Sequence, residues 1–110
     1  MTDRIVKLNA HLRDVLAQII AREVDFRGLF VTVVKVELSP TMEHAAVSVS
    51  VLPENQGHNA LEELEYAIGD IQHQLNSKLK IHPVPKISFK IDNTEAQAMR
   101  VEKLIQEGLN

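Results

Sequence analysis

Residues 59–91 read NALEELEYAIGDIQHQLNSKLKIHPVPKISFKI, a helix pattern that turns into a strand pattern within one stretch. Leu61, Leu64, Ile68, Ile71, Leu75 and Leu79 recur in steps of three and four. That spacing keeps one face of a helix against a core for about five turns. Ala67-Ile68-Gly69 lies in the middle. A glycine there costs the helix about 1 kcal/mol relative to alanine and frees the backbone to bend, so an interrupted helix is expected. Substituting alanine at Gly69 is expected to straighten or strain the joint. His82-Pro83-Val84-Pro85 ends the helix, because a residue before proline is pushed toward extended geometry. In residues 86–91, Ile87, Phe89 and Ile91 alternate with Lys86, Ser88 and Lys90, the pattern of a half-buried strand.

The rest of the chain supplies what this unit packs against. Thr2 and Asp3 can cap a first helix whose stripe is Ile5, Leu8, Leu12, Val15, Leu16 and Ile19. Asp25-Phe26-Arg27-Gly28 is turn chemistry. FVTVVKVEL, from residue 30, reads as a strand with Val34, Val36 and Leu38 inward. After Ser39-Pro40-Thr41, a second strand places Ala45, Val47, Val49 and Val51 on one face and Ala46, Ser48 and Ser50 on the other. So short a loop makes the two strands an antiparallel hairpin. Asn59 with Glu62 resembles a capping arrangement for the long helix. Thr94 and Gln97 can cap a last helix with stripe Ala98, Val101, Leu104 and Ile105, stopped by Gly108. The expected order is helix, strand, strand, interrupted helix, strand, helix: an α+β chain forming one domain over residues 1–110. Its 110 residues suffice for a single core.

Charge divides the long stretch. Glu54, Glu62, Glu63, Glu65 and Asp70 precede an interval, residues 71–91, without an acid. That interval holds Lys78, Lys80, Lys86 and Lys90, the candidates for contact with phosphate. A solvated strand face carrying lysine for edge protection is the plainer alternative. The net charge of −3 opposes tight nucleic-acid binding, which draws its strength from neutralised phosphates. With one tyrosine and three phenylalanines, base stacking on a sheet is not the main device. Arg4, Lys7 and Arg13 lie off the stripe of the first helix and form a second basic candidate.

Other chemistry finds little support. His11, His44, His58, His73 and His82 show no ligand spacing, and without cysteine there is no thiolate zinc site or disulfide, so neither metal nor cofactor is expected. No nucleophile elbow or phosphate-cradling glycine loop is present, so an enzyme is not expected. No apolar run reaches the ~18 residues of a membrane span, and the amino terminus lacks a signal-like apolar segment, so a cytoplasmic protein without membrane association is expected.

The ordered motifs resemble a known family. DFRGLFVTVVKVELSPTMEHAAVSVSVL is similar to the hairpin region of ribosome-binding factor A, in which a Val-Thr-Val strand leads to an Ala-x-Val strand. Ala67-Ile68-Gly69 resembles that family's Ala-x-Gly kink, and VPKISFKIDNTEAQAMRVEKLI its Val-Pro-Glu-Leu-x-Phe strand, Asp turn and final helix. The resemblance spans almost the whole chain. It implies a type II KH-like domain in which the kink stands for the GXXG loop, with Ala67, Ile68 and Gly69 at the RNA. It further implies a cytoplasmic, non-enzymatic factor that binds the free small ribosomal subunit and assists late maturation of its RNA. A monomer without a small-molecule substrate is expected. This chain departs from the family pattern at Gln72 and His82, where Arg is usual, at Lys86, where Glu is usual, and at Pro83. With Gly108-Leu109-Asn110 as its last residues, it is expected to do without the family's usual basic carboxy-terminal tail. Two rivals use other features: a protein-interaction module built on the acidic helix, residues 62–70, and a small enzyme of ferredoxin-like architecture.

Overall fold

The computed structural model describes residues 2–92. The expected last helix, with Thr94, Gln97, its apolar stripe and Gly108, lies outside the described residues. In chain order the elements are α1 (Thr2–Glu23), β1 (Phe30–Leu38), β2 (His44–Leu52), α2 (Gly57–Lys78) and β3 (Lys86–Ile91). The strands form one sheet in the order β1-β2-β3. β1 and β2 pair antiparallel, as a short hairpin loop requires, whereas β2 and β3 are parallel. A parallel neighbour needs a crossover, and α2 provides it. The architecture is α+β, and among the described residues both helices pack together on one face of the sheet.

The core follows the two periodicities. α1 buries Leu12, Leu16, Ile19 and Ile20, while Ile5 remains 42% exposed. α2 buries Gly57, Ala60, Leu64, Ala67, Ile71 and Leu75. The buried stripe is therefore centred on small residues near the amino end, with Leu61 and Ile68 half-buried at its margins. A Cβ on Gly57 would sit 3.7 Å from the Ile91 side chain, so the helix start lies close on β3. β2 contributes Ala45, Val47, Val49 and Val51, all buried as the alternation predicts. Phe89 is 8% exposed and Ile87 6%, with Lys86, Ser88 and Lys90 exposed between them.

Four sequence expectations change. α2 is not interrupted at Ala67-Ile68-Gly69: it runs as one helix through the glycine. Gly69 lies on the exposed side, where losing a side chain removes no packing and leaves the i to i+4 ladder intact. A Cβ there would meet nothing within 4 Å, so alanine is accommodated rather than strained. The helix also starts before Asn59. A 3-10 turn, Glu54–Gln56, leads directly into it, and Gln56 takes the cap position without a side-chain cap bond. Asn59 instead donates its Nδ2 hydrogen to Gln56 Oε1. Leu79 lies one residue past the helix, its N–H donating to Leu75 O at 3.0 Å. In β1 the register slips between Val33 and Lys35, a bulge that leaves Val34 without a cross-strand partner. Val34 is 36% exposed for that reason, and the inward face changes from Val31 and Val33 to Val36 and Leu38 across the bulge.

The turns match their chemistry. Arg27 and Gly28 have φ of 54° and 88°, and Asp25 Oδ1 accepts from Arg27 N–H at 2.9 Å. In the hairpin loop, Met42 has φ 63°, its N–H donates to Ser39 O at 2.9 Å, and Ser39 Oγ accepts from His44 N–H at 3.1 Å.

Candidate nucleic-acid interface

β3 fixes the first group of candidates. Its pleat sends Ile87 and Phe89 into the core and Lys86, Ser88 and Lys90 to the sheet face away from the helices. The register places Lys90 opposite Ser48, which is itself opposite Lys35 of β1. Lys35, Ser48 and Lys90 thus form one row across the sheet. Ser48 is only 2% exposed, as expected for a small side chain between two long aliphatic stems. Lys35 is a basic residue of this face that sequence reasoning missed. Its alternation with Val34 and Val36 was visible, but its position in the row depends on the bulge.

The row is not uniformly positive. Lys35 Nζ lies 3.0 Å from Glu37 Oε1, both side chains being 57% exposed. The hydrogen bond from Lys35 holds the Glu37 carboxyl below its ordinary range, helped by the charges of Lys35 and Lys90. Lys90 therefore acts on Glu37 across the sheet, and Lys86 lies four residues back along the same face.

Lys78 and Lys80 form a second group. Lys78 is in the last turn of α2, where a cation complements the helix dipole, and Lys80 follows in the loop to β3. Both are exposed. Of the three kink residues, Ala67 is 8% exposed and part of the core, and Ile68 is half-buried against it. Only Gly69 presents itself to solvent. It precedes Lys78 by nine residues, about 14 Å along the helix and half a turn around it. Lys86 and Lys90 thus lie on the helix-free face of the sheet, Gly69 and Lys78 on opposite sides of α2, and Lys80 in the loop that joins α2 to β3. Arg4, Lys7 and Arg13 are exposed on α1, which packs on β1 and α2, and Arg13 Nε is 3.5 Å from Asp14 Oδ1.

Gln72 joins α2 to β3. Its Nε2 donates to Pro85 O at 3.1 Å and to Asn76 Oδ1 at 3.0 Å, and its Oε1 accepts from Ile87 N–H at 3.0 Å. Lys86 N–H donates to Glu43 O within the sheet, so its neighbours Pro85 and Ile87 point their main-chain groups outward. The amide of Gln72 occupies the place a further strand would take. An arginine could donate to Pro85 O but has no acceptor for Ile87 N–H. Sequence reasoning missed this role because it joins residues thirteen and fifteen positions apart through tertiary contact.

The exposed face of α2 around Gly69 is acidic. Glu62, Glu65 and Asp70 are exposed along α2, Tyr66 among them is 91% exposed, and His58 Nε2 lies 2.9 Å from Glu62 Oε1. Among the described residues no group of three His, Cys, Asp or Glu could hold a metal ion, and no helix is long and apolar enough to cross a membrane.

Residues 4–105 match the family model described as ribosome-binding factor A. The ribosome-binding factor A of Thermomicrobium roseum is 37% identical over 106 residues, covering 94% of this chain and 82% of the relative. The crystal structure of ribosome-binding factor A from Thermus thermophilus shares the fold with a TM-score of 0.66 at 24% identity, over 79% of this chain and 94% of that one. A homology model of the Thermus thermophilus factor, fitted into a cryo-EM map of its complex with the 30S particle, gives 0.64 at 29% identity, over 77% and 91% of the two chains.

Proposed function

The chain belongs to the ribosome-binding factor A family, and from that premise we propose that it binds the free small ribosomal subunit through ribosomal RNA and assists late maturation of that RNA. It acts as a cytoplasmic, non-enzymatic monomer, one KH-like domain whose RNA surface is the β3 edge. The observation that carries this reading is the run of exposed lysines through the α2–β3 connection, Lys78 and Lys80 where the helix ends and Lys86 and Lys90 on the outward face of β3. A phosphate backbone following that connection meets both groups. The exposed backbone at Gly69 lets a strand of RNA approach α2 without a side chain between them. The side chains of Ala67 and Ile68 serve by packing α2, not by touching RNA.

Lysine contacts to phosphate position a protein without reading bases, so specificity comes from the shape of the assembling particle. The fitted 30S complex of the Thermus thermophilus relative supports the partner. By binding one arrangement of the maturing RNA more tightly than others, the protein shifts the population toward it. Glu62, Glu65 and Asp70, which flank Gly69 on α2, repel phosphate and limit the approach there, so the lysines carry most of the contact.

Four phosphate contacts predict that log affinity for single-stranded RNA falls against log salt with a slope of about −3, shallower by about 0.7 for each lysine replaced. A variant with alanine at Lys78, Lys80, Lys86 and Lys90 is expected to fold normally by circular dichroism and to lose co-sedimentation with free small subunits. If it co-sediments as the parent does, the RNA surface is on α1 around Arg4, Lys7 and Arg13.

A further inference from the structure

Among the described residues, the edge of β1, on the far side of the sheet, is closed at one end and open at the other. Successive residues of an antiparallel strand turn their main-chain groups alternately toward and away from the partner. Ser39 N–H donates to His44 O at 2.8 Å, so Leu38 points outward, where Asn9 Oδ1 accepts its N–H at 3.2 Å. That end is capped. The bulge at Val34 and the Lys35–Glu37 ion pair occupy the middle, and both discourage pairing with another strand. Beyond the bulge, Ser50 and Leu52 continue the two-residue steps along β2 that begin at His44. They are bonded to Thr32 and Phe30, which leaves the N–H and C=O of Val31 and Val33 turned outward. Among the described residues, no strand or side-chain cap meets them.

α1 runs beside this open half. Ala17, Ala21 and Val24 form one wall, and Val31 and Val33 the other, of a groove of about 360 Å³ whose lining residues are all uncharged. The alanines keep the wall low. At the mouth, Phe30 is 75% exposed and its cross-strand partner Leu52 60% exposed.

We infer that this groove binds an extended, uncharged segment of a partner protein as a fourth strand, bonded to Val31 and Val33 with alternate apolar side chains set between Ala17 and Ala21. The chemistry selects that occupant. Outward N–H and C=O groups at strand spacing are complemented by another main chain, and an uncharged lining complements apolar side chains. RNA would bring phosphates to a groove without a cation and has no main-chain amides to offer. The site is on the opposite edge from the proposed RNA surface, so the two readings stand or fall separately.

The test uses uncharged hexapeptides of valine or leucine alternating with threonine, added to the isotope-labelled full chain. Binding is expected to shift the amide signals of Val31, Val33, Ala17 and Ala21 and to slow hydrogen exchange at Val31 and Val33. Methylating alternate peptide nitrogens, which removes the donors of one edge, is expected to abolish it. Ala21→Glu, on the exposed wall, is expected to weaken binding at least tenfold without changing the unfolding midpoint. Val33→Pro deletes an outward donor while sparing the β2 ladder and should also weaken binding, with a lowered unfolding midpoint because Val33 packs against the core. Failure of every peptide to shift these signals, or equal binding after methylation, overturns the proposal. So does a dimer in light scattering that Ala21→Glu converts to monomer, which would make the groove a self-interface. Loss of small-subunit co-sedimentation in Ala21→Glu would place the groove in the RNA surface and also overturn it.

Discussion

The sheet has two edges, and they are finished by the same device to different extents. At β3 the device is Gln72, whose amide both donates to Pro85 O and accepts from Ile87 N–H. At β1 it is Asn9, whose shorter amide accepts a single N–H from Leu38. In each case a helix overhanging the edge lends a side chain that imitates a strand. The difference is reach and burial. α2 lies on β3 with its small residues inward, so a glutamine spans both main-chain groups, whereas α1 leaves β1 covered at one end only. One edge is sealed where β3 begins; the other, among the described residues, leaves the main-chain groups of two residues without a partner. An edge strand can be protected locally, then, and protection can stop where a partner is wanted.

The comparison breaks most easily at its aromatic residues. Phe89 of β3 is 8% exposed and Phe30 of β1 is 75% exposed. Phe89→Ala is expected to destabilise by about 3–5 kcal/mol, and Phe30→Ala by no more than about 0.5 kcal/mol. Urea unfolding of the two variants checks this, and equal losses would mean that the two edges are equally buried. The caps come next. Gln72→Ala leaves a part-buried donor and acceptor without partners and is expected to cost about 1–3 kcal/mol, against about 0.5–1.5 kcal/mol for Asn9→Ala. A double-mutant cycle should be additive, since the sites share no partner. If Asn9→Ala costs more, the β1 cap is the stronger and the contrast reverses.

Smaller still, and of opposite sign, is the effect at Gly69 on the helix that guards β3. Nothing lies within 4 Å of a Cβ placed there, so Gly69→Ala is expected to stabilise by about 0.5–1 kcal/mol. The same variant is expected to bind small subunits more weakly, and a gain in both would remove the glycine from the RNA surface. The smallest effect is at Glu37, on the β1 edge itself. Its folded carboxyl is held below the ordinary value, so its contribution to stability is present above that value and lost as pH falls through the folded one. Glu37→Gln should remove that part of the acid dependence, and added salt should shrink it, because the pair with Lys35 is exposed.

Most of the frame was legible because it obeys local periodicity. The alternation in β3 located Phe89, the run in β2 located Val47 and Val49, and steps of three and four located Leu64, Ile71 and Leu75. What was not legible depends on pairing at a distance. Val34 carries an inward-facing pattern, yet the slip against β2 turns it out. Ala67 and Gly69 are two residues apart in the same motif, but helical geometry sends one to the core and the other to solvent. Gln72 is unremarkable among polar helix residues until β3 is laid beside it. The lysines were readable as a group, though not that a sheet divides them.

The parallel pairing of β2 with β3 also has a consequence for how the chain comes into being. His44 pairs with Lys86 only after the intervening helix has been synthesised. Until then α1 and the hairpin exist without their third strand, and β2, which ends as the centre of the sheet, is an edge. It carries Ala45, Val47 and Val49 on a face that α2 has yet to cover. Distant pairing is slow because a long loop must close first, and an unpaired apolar edge is where nascent chains misassemble. α2 shortens the search: it forms from local contacts and delivers the start of β3 to the sheet with Gln72 already beside it. A chain cut before residue 86 is therefore expected to yield an adhesive hairpin rather than a smaller version of the fold.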